Sequence, residues 1–203
     1  MAFDTTESSA GERPAYESHT SFREYHIRSS GLSNLELILQ DKDKPQLHIE
    51  TSLYNPGKPD ITLHHGSDAK GLVLGDVDLK NFSGHYTIEL GDAEHGAVVL
   101  EELDRIKGFK SQHQFQFIWA EGKRENYVWR HPGEMLLANR DDMELVTDDD
   151  ESEVVLAKFL KGGGSGGWKS KGALLIREGG GHDWELMVIL TSMALIVTRR
   201  REQ

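Results

Sequence analysis

Short stretches of alternating apolar and polar residues run through most of the chain. Apolar side chains occupy every second position in several segments, among them 47–53, 61–63, 86–90, 115–119 and 127–129. A period of two places successive side chains on opposite faces of a strand, so each segment predicts a strand with one buried face. Such segments recur roughly every ten to fifteen residues, which is typical of β-sandwiches and β-barrels.

The connections between the predicted strands carry turn residues. Asn55-Pro56-Gly57 and Glu121-Gly122 are typical of tight turns. A parallel α/β sheet would need helices of about ten or more residues between its strands. The internal candidate for such a helix is 97–106, whose apolar residues fit helical spacing and a strand equally well. This segment stays open, and the remaining pattern favours an antiparallel sheet.

The most apolar part of the chain lies near its C-terminus. Ten of the twelve residues from Leu186 to Val197 are apolar, the exceptions being Thr191 and Ser192. Asp183 can cap the start of a helix here, and Arg199-Arg200-Arg201 complement the dipole at its end. A helix that is apolar on nearly every side cannot lie on a protein surface. We therefore expect a helix that is enclosed by β-sheet.

Two other structures fit the same apolar stretch. Its β-branched residues also suit a buried strand, or two strands that meet at Thr191-Ser192. A transmembrane helix needs about 20 apolar residues to cross a hydrocarbon core of roughly 30 Å. Twelve helical residues reach only about 18 Å. We therefore predict that the chain has no transmembrane span.

Length and composition set the domain organisation. A chain of 203 residues suits one domain with a substantial core. Residues 1–20 combine Ser, Thr, Gly and Pro with scattered charge and show no hydrophobic period. This composition predicts a disordered N-terminal tail, which leaves residues 21–203 as a single β-barrel domain.

The charge balance bears on the partners of the protein. The formal net charge is −11, and an acidic surface repels phosphate backbones, so we expect no nucleic-acid partner. A local basic patch remains compatible with this charge because salt screens exposed charges beyond about 10 Å. The chain has no cysteine, which excludes disulfides and thiolate chemistry. Met1-Ala2-Phe3-Asp4-Thr5 shows no secretory signal, so we expect a cytoplasmic protein.

A glycine-rich segment from Gly162 to Gly167 is flanked by lysines. It differs from a nucleotide-binding phosphate loop because Trp168, and no glycine, precedes Lys169, and a strand-like segment follows. If the strands on either side pair, the flanking lysines converge and can meet a lipid phosphate. The candidate ligand-binding residues are Lys158, Lys161, Lys169 and Lys171. A protein bound to lipid in this way would be peripheral at the membrane. The alternative is that these lysines only solvate a hairpin.

The acidic run from Asp141 to Glu153 contains eight carboxylates in thirteen residues. Its composition predicts a solvated loop or the edge of a hairpin. This run and the N-terminal tail are the candidate segments for binding a protein partner.

The order of features in the C-terminal half resembles the tubby C-terminal-like superfamily, which includes tubby proteins, phospholipid scramblases and LURP-one-related proteins. It is most similar to the uncharacterised fungal branch. The matching segments are Tyr127-Val128-Trp129, Leu136-Leu137, 155–159, 172–176, and 186–198 with the arginines that follow. The resemblance implies a closed antiparallel β-barrel of about twelve strands around a buried apolar C-terminal helix. Tubby proteins bind phosphoinositides through basic residues on the barrel wall, but no motif in this chain matches those residues.

An enzymatic function has little support in the sequence. The ten histidines show no HExxH spacing, and Gly164-Ser165-Gly166 lacks the spacing of a nucleophile elbow. We expect no cofactor and no metal ion. The sequence therefore favours a non-enzymatic binding or scaffold module that recognises a phosphoinositide, another anionic lipid headgroup or a protein. The alternative is a hydrolase whose carboxylate pair is assembled only in the fold.

Overall fold

The chain forms twelve β-strands followed by one α-helix in the part that the structure describes. The structure is a computed structural model, and it describes residues 19–31, 33–52, 57–80, 84–91, 98–106, 108, 112–119, 122–132, 141–149, 153–162 and 170–201. The elements are β1 (Phe22–Ser30), β2 (Asn34–Leu39), β3 (Leu47–Thr51), β4 (Ile61–His65), β5 (Val73–Lys80), β6 (His85–Leu90), β7 (Val99–Arg105), β8 (His113–Ile118), β9 (Arg124–Arg130), β10 (Met143–Thr147), β11 (Val155–Lys161), β12 (Ser170–Arg177) and α1 (Gly181–Arg201).

The strands close into one antiparallel barrel. Each strand pairs with its neighbours in sequence, and β1 pairs with β12 over seven register positions from Phe22↔Arg177 to Arg28↔Ser170. Closure leaves no sheet edge along this seam, which removes a common site of aggregation. The predicted fold class, a closed antiparallel barrel of about twelve strands with a C-terminal helix, is therefore confirmed.

The period-two pattern of the sequence corresponds to the two faces of the barrel wall. In β8 the buried residues alternate strictly with exposed ones, and Phe115 and Phe117 lie in the core. The same alternation holds in β6, where Tyr86, Ile88 and Leu90 face inward. These inward side chains form one apolar cluster with the residues of α1. The sheet and the helix therefore share a single core.

The helix α1 fills the barrel. Every residue from Leu186 to Val197 is buried, with an exposed fraction of 5% or less, so the helix is covered on all of its sides. This confirms the helix predicted here and excludes a strand for the same residues. In the described part of the chain, no helix is both long and apolar enough to cross a membrane.

The wall approaches the helix most closely at a glycine. A Cβ atom on Gly75 of β5 would lie 2.8 Å from Leu190 Cδ1 and 2.5 Å from the carbonyl oxygen of Glu89. A side chain at this position would push the helix away from β5 and β6. Glycine at position 75 therefore lets the helix pack directly against the backbone of the wall.

The structure decides one segment that the sequence left open and corrects the prediction for another. The open segment 97–106 contains strand β7. The acidic run, which predicted a solvated loop or hairpin edge, contains strand β10, with Met143, Leu145 and Val146 buried. The prediction was wrong for these residues because the alternation of apolar and charged side chains outweighs the overall acidity. The predicted disordered tail falls outside the described residues except for His19 and Thr20, which are exposed.

Candidate functional site

The pairing of β11 with β12 determines where the candidate lysines lie. Lys161 is paired with Gly172 at the end of this ladder, and Lys171 directly precedes that glycine. The two lysines therefore lie at the same end of the barrel. Lys158 points in the opposite sense to Phe159, away from the core, and lies on the outer wall between Glu144 and Leu175. Lys169 lies outside the described residues.

The helix adds two further cations at the same end. Arg199 and Arg200, in its last turn, line a cavity of about 60 Å³ together with Lys161 and Lys171. We call Lys161, Lys171, Arg199 and Arg200 the basic mouth. The floor below these four cations is apolar and is formed by Met143, Phe159 and Ile196. The structure therefore places a positively charged rim above an apolar floor at the end of the barrel where the helix ends.

One carboxylate group at the rim neutralises part of this charge. Lys161 forms an ion pair with Asp141 Oδ2, and its backbone N–H donates to Asp142 Oδ1 at 2.7 Å. Arg199 Nη1 donates to the backbone carbonyl oxygen of Asp141 at 3.2 Å. These bonds hold the residues before β10 against the mouth and fix the positions of Lys161 and Arg199.

The other two cations of the mouth have no carboxylate partner among the described residues. Neither the Lys171 nor the Arg200 side chain forms an ion pair or a hydrogen bond there. Desolvation lowers the pKa of Arg200, and no neighbouring acid raises it again. An arginine remains protonated at neutral pH despite such a shift. As far as the described residues go, the mouth therefore carries two positive charges without a counter-charge next to apolar surface, which favours an anion.

The arginines were not identified as site residues from the sequence. Three consecutive arginines at the end of an apolar helix indicate a favourable interaction with the helix dipole. The sequence also contained a second signal. The last residues of a helix that fills a barrel must lie at the end of the barrel. Arg201 fits this view, since its Nη2 pairs with Asp60 Oδ1 at 3.1 Å at the start of β4. Only the fold shows that Arg199 and Arg200 meet Lys161 and Lys171.

The outer wall around Lys158 carries a network of opposite charges. Arg130 of β9 bonds to Glu144 Oε1 at 3.0 Å and to Glu153 at 2.5 and 2.6 Å. Glu144 is the register partner of Lys158 on the neighbouring strand. Lys158 is thus separated from the mouth by the wall, and its surroundings are not predominantly positive.

Carboxylates also lie close together on the barrel wall. A pair of carboxylates is what the alternative function, a hydrolase, would require. Asp76 of β5 lies opposite Glu89 of β6. Burial raises the pKa of Asp76 to about 7, with further contributions from the charges of Glu89 and Asp78. Asp76 lies between the inward residues Gly75 and Val77 and so faces outward. These acids line neither the basic mouth nor a larger cavity at the opposite end of the barrel, beside Arg23 and Arg177.

Metal chemistry has no visible basis in the described ranges. Among those residues, no group of three or more His, Asp or Glu side chains is arranged to hold a metal ion. His48 and His64 do come together on β3 and β4, with ring centroids 6.2 Å apart. His64 Nε2 lies 3.3 Å from Glu50 Oε2, and its Nδ1 lies 3.2 Å from the carbonyl oxygen of Gly71. These bonds hold the β4–β5 connection against the wall.

Comparison with family models, with curated proteins and with solved structures finds no match to this chain.

Proposed function

We propose that this protein is a non-enzymatic binding module that takes the phosphate headgroup of an anionic phospholipid at its basic mouth. The observation that carries the proposal is the pair Lys171 and Arg200, two cations without a carboxylate partner in the described structure. A phosphate group accepts several charge-assisted hydrogen bonds, and such bonds are roughly twice as strong as neutral ones. The apolar floor of the mouth suits the part of a lipid that lies next to its headgroup.

The size of the cavity limits what enters it. A volume of about 60 Å³ is a few times the roughly 10–15 Å³ that a cavity needs to hold one water molecule. It accommodates one phosphate group, whereas an acyl chain would not fit. We therefore propose that the lipid stays in the bilayer and that the end of the barrel docks onto the surface, with a peripheral membrane location as the result.

The net charge of the protein limits how it can bind to a membrane. The whole chain carries −11, so a bilayer rich in anionic lipid repels most of its surface. The attraction acts only within about 8 Å of the mouth at physiological salt. Such an arrangement favours one orientation at the membrane and a dependence on a specific headgroup.

We also propose kinship with the tubby C-terminal-like superfamily. A closed twelve-stranded barrel around a buried C-terminal helix supports it, because this is the fold that the resemblance implies. The proposed site differs from the one in tubby proteins, which bind phosphoinositides on the barrel wall. Here the unneutralised cations lie at the barrel end, and Lys158 on the wall neighbours Glu144.

Liposome flotation tests the proposed function. The vesicles contain phosphatidylcholine alone, phosphatidylcholine with phosphatidylserine, or phosphatidylcholine with a phosphoinositide. Wild-type protein is expected to float with anionic vesicles, and Lys171→Glu and Arg200→Glu are each expected to weaken binding at least tenfold. Raising the salt concentration is expected to weaken wild-type binding as well.

Two matched variants complete the design. Lys70→Glu makes the same charge change in the β4–β5 connection, at the opposite end from Asp60 and Arg201. Lys158→Glu makes it on the wall. Both are expected to float like wild type. Absence of flotation with every anionic vesicle contradicts the proposal, as does a loss with Lys158→Glu that the mouth variants do not show.

A further inference from the structure

A second and larger cavity lies at the opposite end of the barrel, where α1 begins. Its volume is about 430 Å³, within the range of about 300–1,000 Å³ that is usual for small-molecule sites. The side chains that matter for its chemistry are Arg23, Arg177, Glu178, His182, Trp184 and Glu185. The basic mouth shares none of these residues, so this cavity is independent of the proposed lipid site.

One ion pair in the cavity wall is already complete. Arg23 Nη1 lies 2.7 Å from Glu185 Oε2, and the Tyr25 hydroxyl donates to Glu185 Oε1 at 2.8 Å. Both carboxylate oxygens of Glu185 are therefore engaged with β1. This network anchors the helix to the barrel and leaves little capacity to bind a ligand.

Arg177, in contrast, has no carboxylate partner in the described structure. Its Nε donates to the backbone carbonyl oxygen of His19, and its Nη1 lies 3.4 Å from the carbonyl oxygen of Val155. These two carbonyls hold the guanidinium in place without neutralising its charge. Nη2 has no partner among the residues that the structure describes, and a held guanidinium binds a carboxylate with less loss of conformational entropy than a free one.

The neighbouring residue supplies the opposite charge. Glu178 Oε2 accepts a hydrogen bond from the Ser21 hydroxyl at 2.6 Å. Its other oxygen, Oε1, lies 3.9 Å from Arg23 Nε, which is beyond hydrogen-bonding distance. Glu178 is therefore a positioned carboxylate with one oxygen that can accept from a ligand.

The remaining wall is mainly the glycine backbone before the helix, which the buried Trp184 ring supports from behind. A Cβ atom on Gly180 would lie 2.0 Å from Trp184 Cδ1, so the indole ring packs directly against the backbone of the turn before the helix. The same ring is surrounded by Phe117, Trp119 and Tyr127 at centroid distances of 4.6 to 5.3 Å. Trp184 consequently cannot rotate to fill the cavity.

We infer that this cavity binds a small zwitterion of the α-amino-acid type, with its carboxylate on Arg177 and its ammonium group on Glu178 Oε1. Two arginines balance two glutamates in the wall, so a ligand with both charges is favoured over one with a single charge. The side chain of the ligand lies along the backbone of the glycine turn that covers the buried Trp184 ring. Three glycines, Gly179 to Gly181, leave that part of the wall without side chains and provide the room.

Calorimetry and thermal melts with three related probes test this inference. L-phenylalanine carries both charges, 3-phenylpropionate carries only the carboxylate, and phenethylamine carries only the ammonium group. Phenylalanine is expected to bind and to raise Tm with increasing concentration. The two single-charge probes are expected to bind at least tenfold more weakly, because each engages only one of the two charged wall groups.

Variants separate the roles of the wall residues. Glu178→Gln is expected to weaken the binding of phenylalanine at least tenfold and to leave the affinity for 3-phenylpropionate unchanged. Arg177→Gln is expected to weaken the binding of phenylalanine and of 3-phenylpropionate by similar factors. Since Arg177→Gln also removes bonds to two carbonyls, His182→Trp serves as a second variant that fills the cavity with a ring and leaves those bonds intact. Arg28→Gln, on the outer wall beside Glu36, is the matched control and is expected to bind like wild type.

The outcome is decided by the probes and by the variants together. Failure of phenylalanine to bind at millimolar concentration overturns the inference, and so does equal binding of phenylalanine and 3-phenylpropionate. Unaltered binding in a folded His182→Trp variant overturns the location. None of these results affects the flotation assay, since the mouth residues lie at the other end of the barrel.

Discussion

The indole N–H of Trp129 donates to Thr191 Oγ1 at 3.0 Å, inside the barrel. Both residues are fully buried, one on strand β9 and the other halfway along α1. The Thr191 hydroxyl also approaches the carbonyl oxygens of Met187 at 2.9 Å and Val188 at 3.2 Å. Apolar packing alone does not fix a polar direction on the helix. This bond gives it one preferred orientation against the wall.

Thr191→Val is expected to lower stability by roughly 1–3 kcal/mol. Valine keeps the shape of threonine but leaves the Trp129 N–H buried without an acceptor, which costs the full desolvation of that donor. Chemical denaturation followed by intrinsic tryptophan fluorescence measures the change in unfolding free energy.

The neighbouring Ser192 provides the matched control. Its hydroxyl donates at 2.8 Å to the carbonyl oxygen of Ile189 in its own helix, so Ser192→Ala leaves no donor on the wall unpaired. Its expected cost is below about 1 kcal/mol, helped by the high helix propensity of alanine. Equal losses for Thr191→Val and Ser192→Ala would show that the contact between helix and wall has no special role.

Asp76→Asn is expected to stabilise the protein at pH 8, and this gain is expected to shrink as the pH falls from 7 towards 4. Burial and the charges of Glu89 and Asp78 raise the pKa of Asp76 to about 7 in the folded state. The unfolded state binds fewer protons than the folded state between about pH 4 and pH 7, so ionised Asp76 costs stability above pH 7. After allowance for its partial exposure, the gain is on the order of 1 kcal/mol, or about 2–4 °C in Tm.

Thermal melts of both proteins from pH 5 to pH 8 measure this difference. Asp148→Asn, at an exposed position, serves as the control and is expected to follow wild type throughout. A constant offset between Asp76→Asn and wild type across this range would contradict the account of Asp76.

His113→Leu is expected to make the protein less sensitive to acid. Burial, with help from the charges of Arg105 and Arg199, lowers the pKa of His113 to about 4, and neither ring nitrogen has a hydrogen-bond partner. Between pH 6.5 and pH 4 the unfolded state binds the extra proton, so stability falls as the pH falls through this window. The full loss from this group is on the order of 3 kcal/mol.

The measurement is the difference in unfolding free energy between His113→Leu and wild type at pH 7 and at pH 5. It is expected to grow in favour of the variant as the pH falls. His65→Leu, which alters an exposed histidine, is expected to show no such trend. Parallel stability curves for His113→Leu and wild type would rule out His113 as a source of acid sensitivity.

The enclosed helix could be predicted from the sequence for a simple reason. A stretch of twelve residues with ten apolar ones is too short to cross a bilayer and too apolar to face water, so burial by the rest of the chain was the favoured solution. The strands were visible because inward residues such as Phe115 and Phe117 alternate with exposed ones. The acidic run misled the prediction at β10, where composition suggested a loop although Met143, Leu145 and Val146 are buried.

The sites were harder to predict because they combine residues that are distant in sequence. Lys171 and Arg200 come together only because the helix ends at the barrel end where β12 begins. Arg177 and Glu178 look like an ordinary charged pair before a glycine turn. Their different partners, two carbonyls for one and a serine hydroxyl for the other, depend on where β1 and β11 lie. No local pattern encodes such contacts.

Cysteine labelling tests the enclosure of the helix most directly, since the chain has no cysteine of its own. Ala194 of α1 is fully buried, whereas Leu72 on the surface has an exposed fraction of 61%. In native buffer, a thiol reagent is expected to modify Leu72→Cys rapidly and Ala194→Cys at least 1,000-fold more slowly, because reaction requires the barrel to open. In denaturant the two rates are expected to be equal. Labelling of Ala194→Cys within tenfold of Leu72→Cys in a protein that still melts cooperatively would contradict the buried helix.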